Sequence, residues 1–194
     1  PRNNVLTPVQ VPNLSSIVSI AAGIGNLALD ANGRLWSHGP AWSGTSGNGR
    51  TDNPANIPVL VSVPGKVIAF SLGSHGLAVT EDGSVWAWGN NGWGQLGDGT
   101  LTTRLIPVQV SGLTGVIAVA AGPYHSLAFK SDGTVWAWGL NYYGELGDGT
   151  TTQRNTPVQI QGLAVPCMSF AVAINGDSTI PENSSKYFTA TAQF

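Results

Sequence analysis

Apolar and polar residues alternate with a period of two through most of this 194-residue chain. In the stretch GLAVTEDGSVWAWG, Val85 and Ala87 fall on one side and Trp86 and Trp88 on the other, as they do along a β-strand. Asn32-Gly33, Asp82-Gly83 and Asp132-Gly133 interrupt such alternations, which predicts a two-residue hairpin turn at each. Leu127–Phe129 is thus expected to pair with Val135–Trp138. Each hairpin is preceded by an apolar strand (VIAVAAG in one case) and followed by a glycine-rich loop and a short strand, PVQI, that opens on proline. Proline cannot donate to a ladder, so this last strand belongs at a sheet edge. No window carries a capped, amphipathic helix longer than a turn or two.

The pattern repeats. Gly33, Gly83 and Gly133 are 50 residues apart, and so are Trp36, Trp86 and Trp136. Gly39, Gly44, Gly47 and Gly49 each recur at the same step, while Pro58, Pro107 and Pro157 follow at steps of 49 and 50. Three units result: 17–61, 67–110 and 116–160. Pro8 stands 50 residues before Pro58 in the context TPVQV, so residues 1–11 read as the tail of a preceding unit, and the chain is expected to begin mid-repeat. Four short antiparallel strands per unit, apolar on both faces, must stack on a neighbouring copy. The expected fold is all-β: a partial β-propeller of about three four-stranded antiparallel blades.

Composition narrows the function. Glycine fills 26 positions and proline 12, and their regular spacing assigns them to turns. Charged residues make up 9% and the formal net charge is −2, without a basic stripe of the kind that tracks a phosphate backbone, so no nucleic-acid partner is expected. Cys167 is the only cysteine, which excludes a disulfide framework and a cysteine metal cluster. No apolar run reaches the ~18 residues of a membrane-spanning helix, and membrane insertion is not expected.

The strings LGSHGLAVTEDGSVWAWGNNGWGQLGDGT and AAGPYHSLAFKSDGTVWAWGLNYYGELGDGT closely resemble the regulator of chromosome condensation repeat. The likeness covers residues 1–163. Its first unit is degenerate: Gly25 replaces the histidine, His38 the second tryptophan, and GTSGNGR the QLGDGT string. The resemblance implies a propeller of about seven four-stranded blades with binding loops on its rims. It does not carry nucleotide exchange over to this chain, since fold alone does not decide function. Residues 164–194 break the pattern, and INGDSTIPENSSKYFTATAQF resembles the opening strands of bacterial immunoglobulin-like domains. The two likenesses together imply a bacterial protein at the cell surface or outside the cell. Three blades leave two apolar sheet faces open. Either two copies meet head-to-tail as a homodimer of six blades, or residues 164–194 cover one face.

The chemically capable residues mostly read as structure. His75 and His125 share one repeat position and are expected to hydrogen-bond within their own blades, and His38 occupies a packing site. Asp98 and Asp148, with Asn48 as their counterpart, read as turn formers. Glu145 and Asp148, with His125, are the weak fallback for catalysis, as an extracellular glycosidase or esterase at an assembled pocket. Gln95 takes the place of Glu145 one unit earlier, so acid chemistry is not a property of the repeat. No cofactor and no metal are expected. Trp93 and Tyr143 share one position and are expected to pack their blades. Trp42 and Tyr142 share a repeat position that is Gly92 in the second unit, and Tyr124 stands where the sister units have Ile24 and Ser74, so none of the three is a constant feature of the repeat; rigid loop aromatics are enriched at binding surfaces. These three are the expected binding residues of a non-enzymatic module that recognises a protein or carbohydrate. An architectural spacer is the third reading.

Overall fold

The computed structural model describes residues 7–39, 42–51 and 57–162, with the backbone alone at position 42. The immunoglobulin-like segment expected at 164–194, and any covering of an open face by it, lies outside the described residues. Twelve strands form three four-stranded antiparallel sheets: β1 (Ile17–Ala22), β2 (Asn26–Asp30), β3 (Leu35–His38) and β4 (Val59–Leu60); β5 (Val67–Leu72), β6 (His75–Thr80), β7 (Val85–Gly89) and β8 (Arg104–Gln109); β9 (Val116–Ala121), β10 (His125–Lys130), β11 (Val135–Gly139) and β12 (Arg154–Gln159). In each sheet the strands follow chain order, and the expected central pairing is present, with Leu127 opposite Ala137 and Phe129 opposite Val135. The three repeat units are three blades. Residues 8–11, the expected tail of a preceding unit, form no strand.

Two local expectations need correction. The hairpin turns are not two-residue turns. Thr80 N–H donates to Ser84 O and Gly83 N–H to Thr80 O, so residues 81–83 form a three-residue loop, and the same pattern holds at Asp30–Arg34 and Lys130–Thr134. Gly33, Gly83 and Gly133 adopt positive φ (78°, 77° and 83°), whereas Asn32, Asp82 and Asp132 do not. This is a type I turn closed by a left-handed glycine. The carboxylate is spent on the turn itself, as when Asp82 accepts from Ser84 N–H at 3.0 Å. The edge strand is also longer than PVQI in the second and third blades, where it starts three residues before the proline, while in the first blade it shrinks to Val59–Leu60.

Packing between blades follows from the alternation. Leu77, Val79, Val85 and Val110 of the second blade form one core with Trp138, Ala128 and the half-buried Val119 of the third. Leu27, Leu29, Leu35 and Val61 of the first blade form the equivalent core with Trp88, Leu72, Ala78 and the half-buried Phe70 of the second. The second sheet thus lends one face to the first blade and the other to the third. Burial of some ten apolar side chains per interface, at ~1.5–3 kcal/mol each, is the main stabilising term.

Polar bonds fix the stacking. The indole N–H of Trp88 donates to Thr45 O at 3.0 Å and that of Trp138 to Gln95 O at 2.8 Å, one blade back in both cases. Gly49 N–H reaches Leu105 O and Gly99 N–H reaches Asn155 O, tying the first two glycine-rich loops to the next blade's outer strand. A Cβ on Gly97 would stand 2.8 Å from Trp138 Nε1, which is why that loop position is glycine.

Candidate functional site

Tyr124 lies in the link between β9 and β10, and Tyr142 follows β11. Both lean on Trp93 of the second blade. The Trp93 and Tyr142 ring centroids are 5.9 Å apart at 70°, and Trp93 and Tyr124 are 6.5 Å apart at 68°, two edge-to-face contacts across the blade boundary. Such pairs contribute ~0.5–1.5 kcal/mol beyond burial. Leu140 N–H donates to Tyr124 O at 2.9 Å, and Trp93 N–H donates to Gln95 Oε1 at 2.9 Å, so both loops are held at their bases. Tyr124 stays 48% exposed and Tyr142 66%. A cavity of about 180 Å³ opens beside them, lined by Trp93, Leu140, Asn141, Tyr142, Thr151 and Gln153, none of which is charged. The structure brings together two of the three expected aromatics. For Trp42, the backbone lies in the short 3₁₀ turn Trp42–Gly44, and its side chain lies outside the described residues.

Trp93 is the member that sequence reasoning assigned to plain packing. Its ring packs onto the aromatics of the following blade. Tyr143, at the same repeat position in the last blade, is 93% exposed, because no described blade follows it. The expectation that Tyr143 packs its own blade is therefore wrong.

The two fallback catalytic carboxylates are occupied. Asp148 Oδ1 accepts from Thr150 Oγ1 at 2.7 Å and Thr150 N–H at 2.9 Å, while Oδ2 accepts from Arg154 Nε at 2.8 Å. The Thr150 hydroxyl bond foremost, set against the cost of burial and joined by Arg154, holds this carboxyl down at about 2. Asp98 makes the same bonds to Thr100 and Arg104, and Asn48 the same turn bond to Arg50 N–H. Glu145 accepts from Tyr143 N–H at 2.8 Å, the counterpart of the Gln95 bond. These acids close loops. A carboxyl poised to give or take a proton would need its charge disfavoured, and Asp148 is held the other way.

The histidines also differ from expectation. His75 does not bond within its own blade: its Nε2 lies 2.6 Å from Ser126 Oγ of the next. Ser126 Oγ donates its single proton to Gln95 O at 2.7 Å, so His75 Nε2 carries the hydrogen and donates to Ser126. His75 Nδ1 is left buried without a partner. Burial first, and then the nearby His125, pushes the His75 imidazole down to about 3. With both His75 and Ser126 fully buried, this pair is a blade-to-blade fastener and no substrate reaches it. A signal for it stood in the sequence. The first unit has Gly25 where the histidine would be, and the second has Gly76 where the serine would be, so the two partners are lost together across one interface. The Trp88 ring fills that space, with Cε2 only 2.2 Å from where a Gly76 Cβ would lie. His125 is half-buried on the open side of β10, opposite Gly139.

Three four-stranded sheets in chain order, sharing cores face to face and carrying aromatic loops at one rim, define an open sector of a β-propeller. The regulator of chromosome condensation (RCC1) repeat matches residues 82–129 and 132–173, and a second description of the same repeat matches 68–95 and 116–145. The matches run together from 68 to 173, and these residues are similar to RCC1 repeats. Human WBSCR16 is similar in structure, with 30% identity and a TM-score of 0.66, over 75% of this chain and 38% of that one. Prp20p from Saccharomyces cerevisiae, in a structure described with its binding to Gsp1p and histones, gives 22% identity and a TM-score of 0.70 over 79% and 40%. Yeast RCC1 (Prp20) in complex with Kap60 gives 22% and 0.68 over 79% and 38%. The chain therefore spans about two fifths of the length of these structures. No curated protein matches it in sequence.

Proposed function

We propose that the chain is a non-enzymatic protein-binding module whose contact surface is the rim formed by Trp93, Tyr124 and Tyr142, with Trp42 extending it from the first blade. The observation that carries this reading is the cross-blade aromatic cluster. Its rings pack edge to face, Tyr124 and Tyr142 remain exposed, and no charged side chain lines the cavity beside them. Exposed, pre-ordered aromatics bind at low entropic cost, which is how interface anchors work. Prp20p, the yeast RCC1, is described with protein partners in two structures, which supports a protein as the ligand class in preference to a carbohydrate. The loop acids Glu145 and Asp148 are committed to their turns, which speaks against the hydrolase reading. The likeness of residues 174–194 to bacterial immunoglobulin-like domains, with which the low charge is compatible, supports a place outside the cell, on a bacterial surface.

The test replaces Tyr142 with photoreactive benzoylphenylalanine and illuminates the source cells. A discrete protein adduct is expected, lost when Trp93→Ala or Tyr124→Ala is added and absent when the photoreactive group sits at Ser111. Absence of an adduct, or binding confined to a glycan array, overturns the reading.

A further inference from the structure

The junction between the first and second blades departs from its sister in charge, and the departures meet at one cavity. A hollow of about 280 Å³ opens there, lined by the first hairpin, Asn32 to Leu35, and by the link that carries the chain into the second blade. It lies away from the aromatic rim. Tyr124 leads into β10 and Tyr142 leaves β11, whereas the hairpin joins the opposite ends of the equivalent strands β2 and β3.

The repeat supplies its own comparison. Lys66 O accepts from Glu81 N–H as Gly115 O accepts from Ser131 N–H, and Val67 N–H donates to Gly33 O as Val116 N–H donates to Gly83 O. The two junctions therefore match residue for residue. Asn32 stands where the later units have Asp82 and Asp132, and Arg34 where they have Ser84 and Thr134. Lys66 stands where the other links have Ser16 and Gly115. A carboxylate is lost and two cations are gained at three separate positions, and all three residues line the same cavity. The same positions at the next junction, Asp82, Ser84 and Gly115, carry a single negative charge.

Arg34 is held in place. Its Nε donates to the buried Asp30 carboxylate at 2.7 Å, and its guanidinium carbon sits 5.4 Å from the Trp36 ring centroid. The η-nitrogens of Arg34, the Lys66 ammonium, the Asn32 amide and the Ser62 hydroxyl make no hydrogen bond among the described residues. Every polar side chain lining the cavity can donate, and no carboxylate lines it. With Asp30 matched to Arg34, the local balance is the one positive charge of Lys66. Leu60, 45% exposed, and Val63 add an apolar wall. The volume is close to the lower end of small-molecule pockets, ~300–1,000 Å³.

We infer that this cavity binds a small monocarboxylate with a short apolar body, its carboxylate between Arg34 and Lys66 and its body against Leu60 and Val63. A guanidinium fork and an ammonium are complementary to carboxylate oxygens, and such charge-assisted bonds are the short, strong ones. A single net positive charge suits a monoanion better than a doubly charged phosphate ester. The site is separate from the aromatic rim and stands whether or not a protein binds there.

The test titrates benzoate into the nitrogen-15-labelled chain, with benzamide as its uncharged isostere and chloride as a control for simple ion binding. Benzoate is expected to shift the amides of Gly33, Arg34, Gly65 and Lys66 and to leave those of Gly83, Ser84, Thr114 and Gly115 in place. Benzamide and chloride should move neither set. Lys66→Ser and Asn32→Asp each install a residue that a sister unit carries at that position, so the fold is kept. Each should weaken benzoate binding at least ~tenfold, as loss of one charge-assisted bond or gain of one repulsive charge predicts. No shift at about 10 mM benzoate, which would fill a site with a Kd of ~1 mM to about nine-tenths, overturns the proposal. So do equal shifts from benzamide or chloride, equal shifts at Gly83 and Gly115, or undiminished binding by both variants. Phenyl phosphate binding more tightly than benzoate overturns it too, since the site would then favour a dianion.

Discussion

Acid should loosen the boundary between the second and third blades before it touches anything else. His75 is fully buried, with its Nδ1 unpartnered and Nε2 donating to Ser126. Its pKa falls from the ordinary 6.5 to about 3, so the folded protein refuses a proton that the unfolded chain accepts. Stability from this group is fully present above 6.5 and is lost as pH falls towards 3. Between those limits each pH step costs up to ~1.4 kcal/mol, and the whole window is worth on the order of 4 kcal/mol. That is a large part of a typical 5–15 kcal/mol domain stability. The carboxyls of Asp30, Asp132 and Asp148, each held near 2 by local hydrogen bonds, lose their contribution only below about 4, so the two windows separate. Urea midpoints at pH 7, 6, 5 and 4 should fall steadily for the parent protein. In His75→Gln the slope above pH 4.5 should be much reduced, from a lower starting stability. Parallel profiles for the two proteins would refute the assignment of this titration to His75.

Other substitutions separate bonded from merely buried groups. Trp138→Phe removes the donor to Gln95 O and part of a fully buried ring, and should cost ~2–3 kcal/mol. Trp86→Phe should cost under ~1 kcal/mol, because its indole N–H is buried without a partner and the change removes that liability; equal urea midpoints for the two variants contradict this. Gly83→Ala places a methyl 2.8 Å from Gly115 N at φ 77° and should lose ~2 kcal/mol or more, against ~1 kcal/mol for Gly112→Ala, where φ is 70° and nothing lies within 4 Å. Asp98→Ala should lower the thermal midpoint clearly more than Asp98→Asn, since Asn48 makes the same turn bond in the first blade.

Much of the fold was readable because glycine, proline and tryptophan recur where backbone geometry leaves few alternatives. Gly33, Gly83 and Gly133 close the hairpins, and Trp88 and Trp138 reach back one blade. Turn length was misread because Asp82-Gly83 suits both a two-residue turn and a type I turn with a left-handed glycine, and only the Thr80–Ser84 pairing distinguishes them. The site was half legible. Tyr124 and Tyr142 stood out against the repeat, yet Trp93 was hidden by being part of it, since its sister Tyr143 made it look structural. The His75–Ser126 contact joins residues 51 apart in different units, so it belongs to the stacking of blades and not to any one of them.

The claim beneath all of this is that consecutive sheets share cores and are pinned by indole bonds. Nuclear Overhauser spectroscopy on the labelled protein tests it directly. The indole protons of Trp88 and Trp138 should show strong cross-peaks to the α-protons of Gly47 and Gly97, since a Cβ on these glycines would lie 2.9 Å and 2.8 Å from the respective ring nitrogens. Intact pairing within each sheet, such as Leu77 opposite Ala87, without these cross-peaks would mean that the blades fold but do not stack, and would contradict the account.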